Sequence, residues 1–242
     1  MDFSDKIIIV TGASSGIGKS CAEKLLECGA NVYGIDISES SIDSSKYSHL
    51  QESILNEAKV EEFVQSIVDK HGRIDGLVNA AGIWGNSVPF YEMATDAFKK
   101  IQDVNLVGMF IVSKYVSKVM IQNGSGKIVN ISCIRGSIFR GNMSDYAASK
   151  GAVVSMTSAM ALDLAPYNIQ VNSVAPGFTY TGMTAKSFDD PEVRNQSEKL
   201  IPAGRLGDPE DISKVVCSLL SEMSDYMTGT NVFVDGGYHI QK

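Results

Sequence analysis

The chain has 242 residues, 44% of them hydrophobic and 20% charged, which suits one large α/β domain or two small ones. Twenty-one basic against 28 acidic side chains leave a formal net charge of −7; with no run of Lys or Arg, neither a nucleic-acid nor an anionic-membrane partner is expected. The opening Met1-Asp2-Phe3-Ser4-Asp5-Lys6 carries no secretory pattern, and no apolar stretch approaches the ~18 residues that span a bilayer, so a soluble, cytoplasmic protein is expected.

Strand-like and helix-like segments alternate along the chain. Lys6–Thr11 is a β-branched apolar run that reads as a strand buried on both faces. Gly16–Cys28 has helical spacing at Ile17, Cys21, Leu25 and Cys28, and Gly29 can end it. Asn31–Asp36 is a second strand, 38–48 a Ser-rich surface loop with room for one helical turn, and His49–Ser53 a weaker third strand. Glu57–His71 is an amphipathic helix, Ile74–Asn79 a fourth strand, Thr95–Gln122 a long helix with an apolar face. Gly126–Ser132 is a fifth strand, Tyr146–Ala165 a helix stopped by Pro166, and Ile169–Ala175 a sixth strand stopped by Pro176-Gly177. Thr179–Leu206 is long and weakly patterned, as a lid or binding loop would be. Pro209–Met223 is a helix with Asp208 as N-cap, and Asn231–Val234 a last strand. Continuous apolar strands alternating with helices predict a doubly wound parallel sheet in a single domain over residues 1–242.

Four cysteines (Cys21, Cys28, Cys133, Cys217) form no C-x-x-C pair and histidines are few (His49, His71, His239), so no metal site is expected. Cys21 and Cys28 are two helical turns, about 10 Å, apart, too far for a disulfide.

The first strand runs into a turn with glycines at 12, 16 and 18, and a helix follows at once. That context favours a dinucleotide: glycines let the backbone approach the diphosphate, and the helix N-terminus offers free N–H groups and a positive dipole end. A tight turn without a ligand is the competing reading. Asp36 ends the second strand, 18 residues after Gly18, where a carboxylate accepts from ribose hydroxyls and repels a 2′-phosphate. Ile37-Ser38-Glu39 follows it and Ser15 is no base, so NAD is favoured over NADP.

Thr11-Gly12 through Gly18, Asn79-Ala80-Ala81-Gly82, Asn105, Tyr146-x-x-x-Lys150 and Pro176-Gly177 with Thr181 downstream together resemble the short-chain dehydrogenase/reductase family over essentially the whole chain. The resemblance implies a Rossmann-like seven-stranded sheet in order 3-2-1-4-5-6-7, hydride transfer between nicotinamide and a carbinol or carbonyl carbon, and a homotetramer or homodimer. It implies cofactor contacts from Gly12, Ser14, Ser15, Gly16, Ile17, Gly18, Asp36, Ile37, Ser53, Ile54, Asn79, Ala80, Ala81, Gly82, Tyr146, Lys150, Pro176, Gly177, Thr179 and Thr181. Tyr146 is the implied general acid/base. Four residues apart on a helix, Tyr146 and Lys150 share a face, and a nearby ammonium is expected to bring the phenol towards working pH. Asn105 is implied to anchor a water relaying protons to Lys150; a core amide satisfied by backbone is the other reading.

Two positions depart from the family. Thirteen residues before Tyr146, where a serine is usual, stands Cys133, a weaker donor than a hydroxyl. Either Cys133 replaces the serine in a working enzyme, or Ser132 shifts into the site, against strand alternation, or the chain is attenuated. Ser53 stands where an Asp is common, and its hydroxyl can still hydrogen-bond. The substrate pocket is expected from Trp84, Cys133 to Arg135, Arg140, Asn142, Pro176 to Phe178 and the 179–206 lid. The two arginines suggest a small polar or anionic hydroxy compound unless they lie in a surface loop or subunit interface. A non-enzymatic NAD-binding sensor or scaffold is the alternative function.

Overall fold

Seven parallel strands in the order β3-β2-β1-β4-β5-β6-β7 form the central sheet of the computed structural model, which describes residues 1–241. They are β1 (Ile7–Thr11), β2 (Asn31–Asp36), β3 (Tyr47–Gln51), β4 (Gly76–Asn79), β5 (Gly126–Ile131), β6 (Ile169–Pro176) and β7 (Asn231–Val234). The helices are α1 (Gly16–Glu27), α2 (Glu57–His71), α3 (Thr95–Gln102), α4 (Met109–Asn123), α5 (Ser144–Leu164), α6 (Gly182–Phe188), α7 (Pro191–Lys199) and α8 (Pro209–Leu220). The expected strand order is the observed one.

Strand alternation builds two cores. Ile7 and Ile9 of β1 pack with Val60, Val64 and Ile67 of α2 and with Val112 and Val116 of α4. Ile8 and Val10 pack on the other face with Cys21 and Leu25 of α1 and with Ile212 and Val216 of α8. Each such buried aliphatic side chain is worth roughly 1.5–3 kcal/mol, which is why β1 reads as an unbroken apolar run. The order in which strands are added reverses between β1 and β4: Thr11 pairs with Ile35 on one side and Asn79 on the other, both in parallel. Ligands of open parallel sheets bind at this switch point, beyond the carboxyl ends of the strands.

Several elements depart from expectation. The edge strand β3 begins two residues earlier than His49, because it pairs with β2 from Val32↔Tyr47 to Asp36↔Gln51. The 38–48 loop has no helical turn. The long helix is interrupted at Asp103–Gly108 by a π-helical segment, a widened turn common at functional sites. The run Thr95–Asn123 holds an 18-residue window of mean hydropathy 1.4, long and apolar enough to cross a membrane by length and composition. That corrects the expectation that no stretch approaches the limit. In this fold Ile111, Val112, Val116 and Met120 of the run lie in the sheet core.

The 179–206 stretch is not a structureless loop. Thr181 caps α6 through a reciprocal capping box, and Asp190 caps α7 by accepting from Glu192 N at 2.8 Å, with Pro191 at the first helical position. α7 buries no side chain, so it carries no apolar period to read. Asp208 caps α8 as expected. All four cysteines are free, and burial pushes the Cys217 thiol up to about 12. No group of three potential metal ligands occurs among the described residues.

Candidate active site

A cleft of about 760 Å³ runs along the carboxyl ends of the strands. Its floor is the turn between β1 and α1. Gly12 and Gly16 take positive φ (67° and 52°), and a Cβ on Gly12 would stand 2.8 Å from the Ala81 nitrogen. Ser15 makes no side-chain cap to α1, so the first N–H groups of that helix are left for another acceptor. A close backbone cradle with an uncapped helix N-terminus fits the diphosphate of a dinucleotide.

Gly12, Ser15, Gly16, Ile17, Gly18, Asp36, Ile37, Ser53, Ile54, Ala80, Ala81, Gly82, Pro176, Gly177, Thr179 and Thr181 all line the cleft. Ser14 does not; its backbone N–H donates to Asp36 Oδ2 at 3.0 Å, while the Ser38 N–H donates to Oδ1 at 2.9 Å. Asp36 therefore fastens the glycine turn to the end of β2 while facing the adenosine end of the cleft. Glu52, which the sequence did not single out, lines the same cleft. Asn79 lies behind the cleft wall. Its amide nitrogen donates to Ser113 Oγ (2.9 Å) and Asn130 Oδ1 (2.8 Å), while Asn130 donates to Thr157 Oγ1 (2.9 Å). This buried network ties β4, α4, β5 and α5 together; Asn79 Oδ1 has no protein partner in it.

At the other end Tyr146, Lys150, Cys133 and Trp84 share the cleft wall. Lys150 Nζ donates to the Ile131 carbonyl at 2.8 Å and lies 5.9 Å from the Tyr146 ring. Burial lowers the Lys150 amine to about 8. Burial also pushes the Tyr146 phenol well above its ordinary value, with the adjacent Cys133 thiol the next cause. The expected lowering of the phenol by Lys150 is not what the site shows: burial and Cys133 both raise it. The Cys133 thiol donates to the Pro176 carbonyl at 3.8 Å. Ser132 turns its hydroxyl away, 2.9 Å from Val174 O and 2.8 Å from Asn231 Oδ1. Asn105 spends its amide on Ile83, accepting from Ile83 N at 2.8 Å and donating to Ile83 O at 3.0 Å, and on Ser149 Oγ at 3.1 Å.

The expected substrate residues separate. Trp84 is 42% exposed, and its ring lies 4.8 Å from that of Tyr146. Arg135, Arg140, Asn142 and Phe178 do not line the cleft. Arg135 is 5% exposed, its guanidinium 5.6 Å from the Phe178 ring and 5.7 Å from the Tyr238 ring. It is a clasp between three chain segments rather than an anion holder in the pocket. Arg140 and Asn142 lie exposed in the loop before α5. Met183 and Thr184 bring the expected 179–206 stretch to the cleft, while Ile83, Lys100 and Val104 also line it and were not anticipated. Lys100 and Val104 are four apart on the face that also carries Asp96, a repeat that could have flagged them.

Residues 12–239 match the family described as Enoyl-(Acyl carrier protein) reductase. The chain is 37% identical over 250 residues to the NAD-dependent glycerol dehydrogenase of Listeria innocua, covering 99% of this chain and 96% of the relative. It is 38% identical over 246 residues to the 3-oxoacyl-[acyl-carrier-protein] reductase FabG of Thermotoga maritima, covering 98% and 99%. The ligand-free structure of the Thermoplasma acidophilum aldohexose dehydrogenase superposes with a TM-score of 0.93 at 33% identity, covering 99% of this chain and 96% of that one. With its strand order, glycine turn and Tyr146–Lys150 pair, the chain belongs to the short-chain dehydrogenase/reductase family of oxidoreductases.

Proposed function

We propose that the protein is an NAD(H)-dependent dehydrogenase interconverting a secondary alcohol and a ketone on a small polar hydroxy compound. The observation that carries this reading is the meeting of Tyr146, Lys150 and Cys133 on one wall of the cleft whose floor is the glycine turn. When bound, the nicotinamide supplies the redox chemistry by taking or giving a hydride. Tyr146 holds the proton at its phenol oxygen, giving it to a carbonyl in reduction and taking it from an alcohol in oxidation. Lys150 stands behind it as a buried amine held by Ile131 O, and Cys133 takes the place of the usual serine beside the reacting oxygen.

The choice of NAD rests on charge. Asp36 and Glu52 both line the cleft, and a 2′-phosphate beside two carboxylates would be repelled. Among the described residues lining it, the cations are Lys100 and Lys150, and Lys150 sits at the catalytic end. With Arg135 and Arg140 off the wall, an anionic substrate would depend on Lys100 alone, so a polar uncharged compound is the stronger candidate. The similarity to a glycerol dehydrogenase and an aldohexose dehydrogenase supports that class.

We further read the protein as a cytoplasmic homotetramer or homodimer without nucleic-acid or membrane partners. Val107 and Phe110 (48% exposed) form an apolar patch with Leu106 and Met156, as a surface covered by a second copy would. Nicotinamide absorbance, followed with NAD and with NADP against a panel of polyols, sugars and neutral ketones, tests the function. Tight NAD binding with no turnover on the whole panel would favour a non-enzymatic sensor, the reading that Cys133 keeps open.

A further inference from the structure

The chain between β4 and α3 carries Trp84 and is fastened on both sides of it. Upstream, Asn105 holds both backbone groups of Ile83. Downstream, Asp145 holds Asn86: its Oδ2 accepts from the Asn86 backbone N–H at 2.8 Å and from Asn86 Nδ2 at 3.0 Å. Oδ1 of the same carboxylate accepts from the Tyr146 N–H at 2.7 Å. Asp145 is fully buried, and no cation lies within ion-pair reach of it among the described residues. Three N–H donors satisfy it instead. Gly85 lies where the two segments press together; a Cβ there would stand 2.5 Å from Asp145 Oδ1 and 2.8 Å from Tyr146 Cβ. The result is the indole of Trp84 set against the phenol of Tyr146, with ring centroids 4.8 Å apart and planes inclined at 35°.

We propose that Asp145 is a positioning residue that sets substrate specificity, by latching the Trp84 loop to the first turn of the helix that carries Tyr146. The latch makes the indole a fixed wall beside the reacting phenol. A fixed wall admits compact substrates and turns away those branched next to the reacting carbon. Without Asp145, the Asn105 clamp ends at Ile83 and leaves Trp84 and Gly85 free to swing out. The kinetic consequence rests on the dehydrogenase reading; the latch itself does not.

Trp84 is the sole tryptophan of the chain, so fluorescence excited at the red edge, where tyrosine does not absorb, reports on this wall alone. In Asp145→Ala the indole emission shifts to the red and acrylamide quenching rises about twofold or more, as an indole released from a packed site should show. Asp145→Asn, which keeps one acceptor oxygen, falls between that variant and the parent. NAD affinity, measured by calorimetry, holds in both, because the glycine turn is untouched. For a compact secondary alcohol, kcat/KM falls roughly tenfold in Asp145→Ala, with a smaller loss for a branched one. In a Trp84→Ala background the same change costs less than about twofold, as coupled residues should.

Unchanged quenching in a folded Asp145→Ala protein, or an equal kinetic loss in both backgrounds, overturns the proposal. If the alanine variant does not fold, quenching in Asp145→Asn decides, and parity with the parent overturns it. If the parent turns over no alcohol or ketone at all, the dehydrogenase reading falls, and fluorescence still decides the latch.

Discussion

Ser132 and Cys133 are neighbours at the end of β5 that face opposite ways. The Ser132 hydroxyl is taken by Val174 O and Asn231 Oδ1, while Cys133 lines the cleft with Tyr146. Ser132 therefore cannot stand in for a missing catalytic serine without breaking two buried contacts. Cys133→Ser is expected to keep or raise turnover, by up to roughly 5-fold if a full hydrogen bond of about 1 kcal/mol is gained. Cys133→Ala should lower it by a similar factor. Steady-state kinetics with NAD affinity measured in parallel checks both; abolition of turnover in Cys133→Ser with NAD binding intact would show that position 133 is misassigned.

Desolvation dominates the catalytic pair, and the pH dependence follows. With the Tyr146 phenol held well above its ordinary value, the base form needed for oxidation is scarce at neutral pH. Alcohol oxidation is expected to rise steadily from pH 6 to about 9, and ketone reduction, which needs the protonated phenol, to stay flat over that range. Matched pH–rate profiles in the two directions test this.

Lys150 imposes a cost on the fold. In the unfolded chain its amine stays protonated up to its ordinary 10.5, in the fold only to about 8. Between these values the unfolded chain holds more protons, so the cost is full below pH 8 and fades as pH rises towards 10.5. Its size is on the order of 3 kcal/mol, less whatever the hydrogen bond to Ile131 O returns. Lys150→Met is therefore expected to melt higher than the parent at pH 7, to lose that advantage near pH 10, and to lose roughly 100-fold or more in kcat. Thermal melts at the two pH values check it.

Asp36 and Glu52 both line the cleft, and the proposed NAD preference rests on them. Asp36→Ala should raise the NADP-to-NAD ratio of kcat/KM by roughly 10-fold or more, since a like-charge juxtaposition costs several kcal/mol. Glu52→Gln should move it in the same direction by less. Cofactor titrations at fixed ionic strength separate this from a general loss of binding.

Arg135 lies between two aromatic rings, off the cleft wall. Arg135→Ala is expected to destabilise the fold by roughly 1–3 kcal/mol, a desolvated cation–π contact being worth up to about 2 kcal/mol and packing adding to it. It should not discriminate between anionic and neutral substrates. A selective rise in KM for anionic substrates, with the melting temperature unmoved, would return Arg135 to the pocket.

Much of this molecule can be read from its residues, and the gaps have physical causes. α2 and β7 fall on their expected bounds because their apolar periods are unbroken and Gly72 or Gly236 punctuates them. The strand order followed from the family resemblance, not from any period. α6 and α7 were missed because they are short and carry no apolar period: α6 buries Phe188 alone and α7 buries no side chain. The π-helical segment at Asp103–Gly108 was missed because one extra residue per turn scarcely disturbs an apolar stripe. At the site, Asp36 was legible from its place at a strand end after the glycine turn, while Tyr146, Lys150 and Cys133 were legible through the family resemblance. Arg135 was misplaced for a different reason: which neighbours a side chain finds across the fold is not written in local spacing. Asp145 was missed on the same ground, its partner Asn86 lying 59 residues away.

The bond from Ser14 N to Asp36 Oδ2 has an evolutionary corollary. On the proposed NAD reading, the carboxylate that would select the ribose also braces the glycine turn. A lineage drifting towards the phosphorylated cofactor cannot exchange Asp36 alone without loosening its grip on either dinucleotide. The substitution that opens the new preference must wait for, or be rescued by, another that re-ties Ser14. Under that reading cofactor preference would be epistatic, and the path between the two states would pass through a poorer binder.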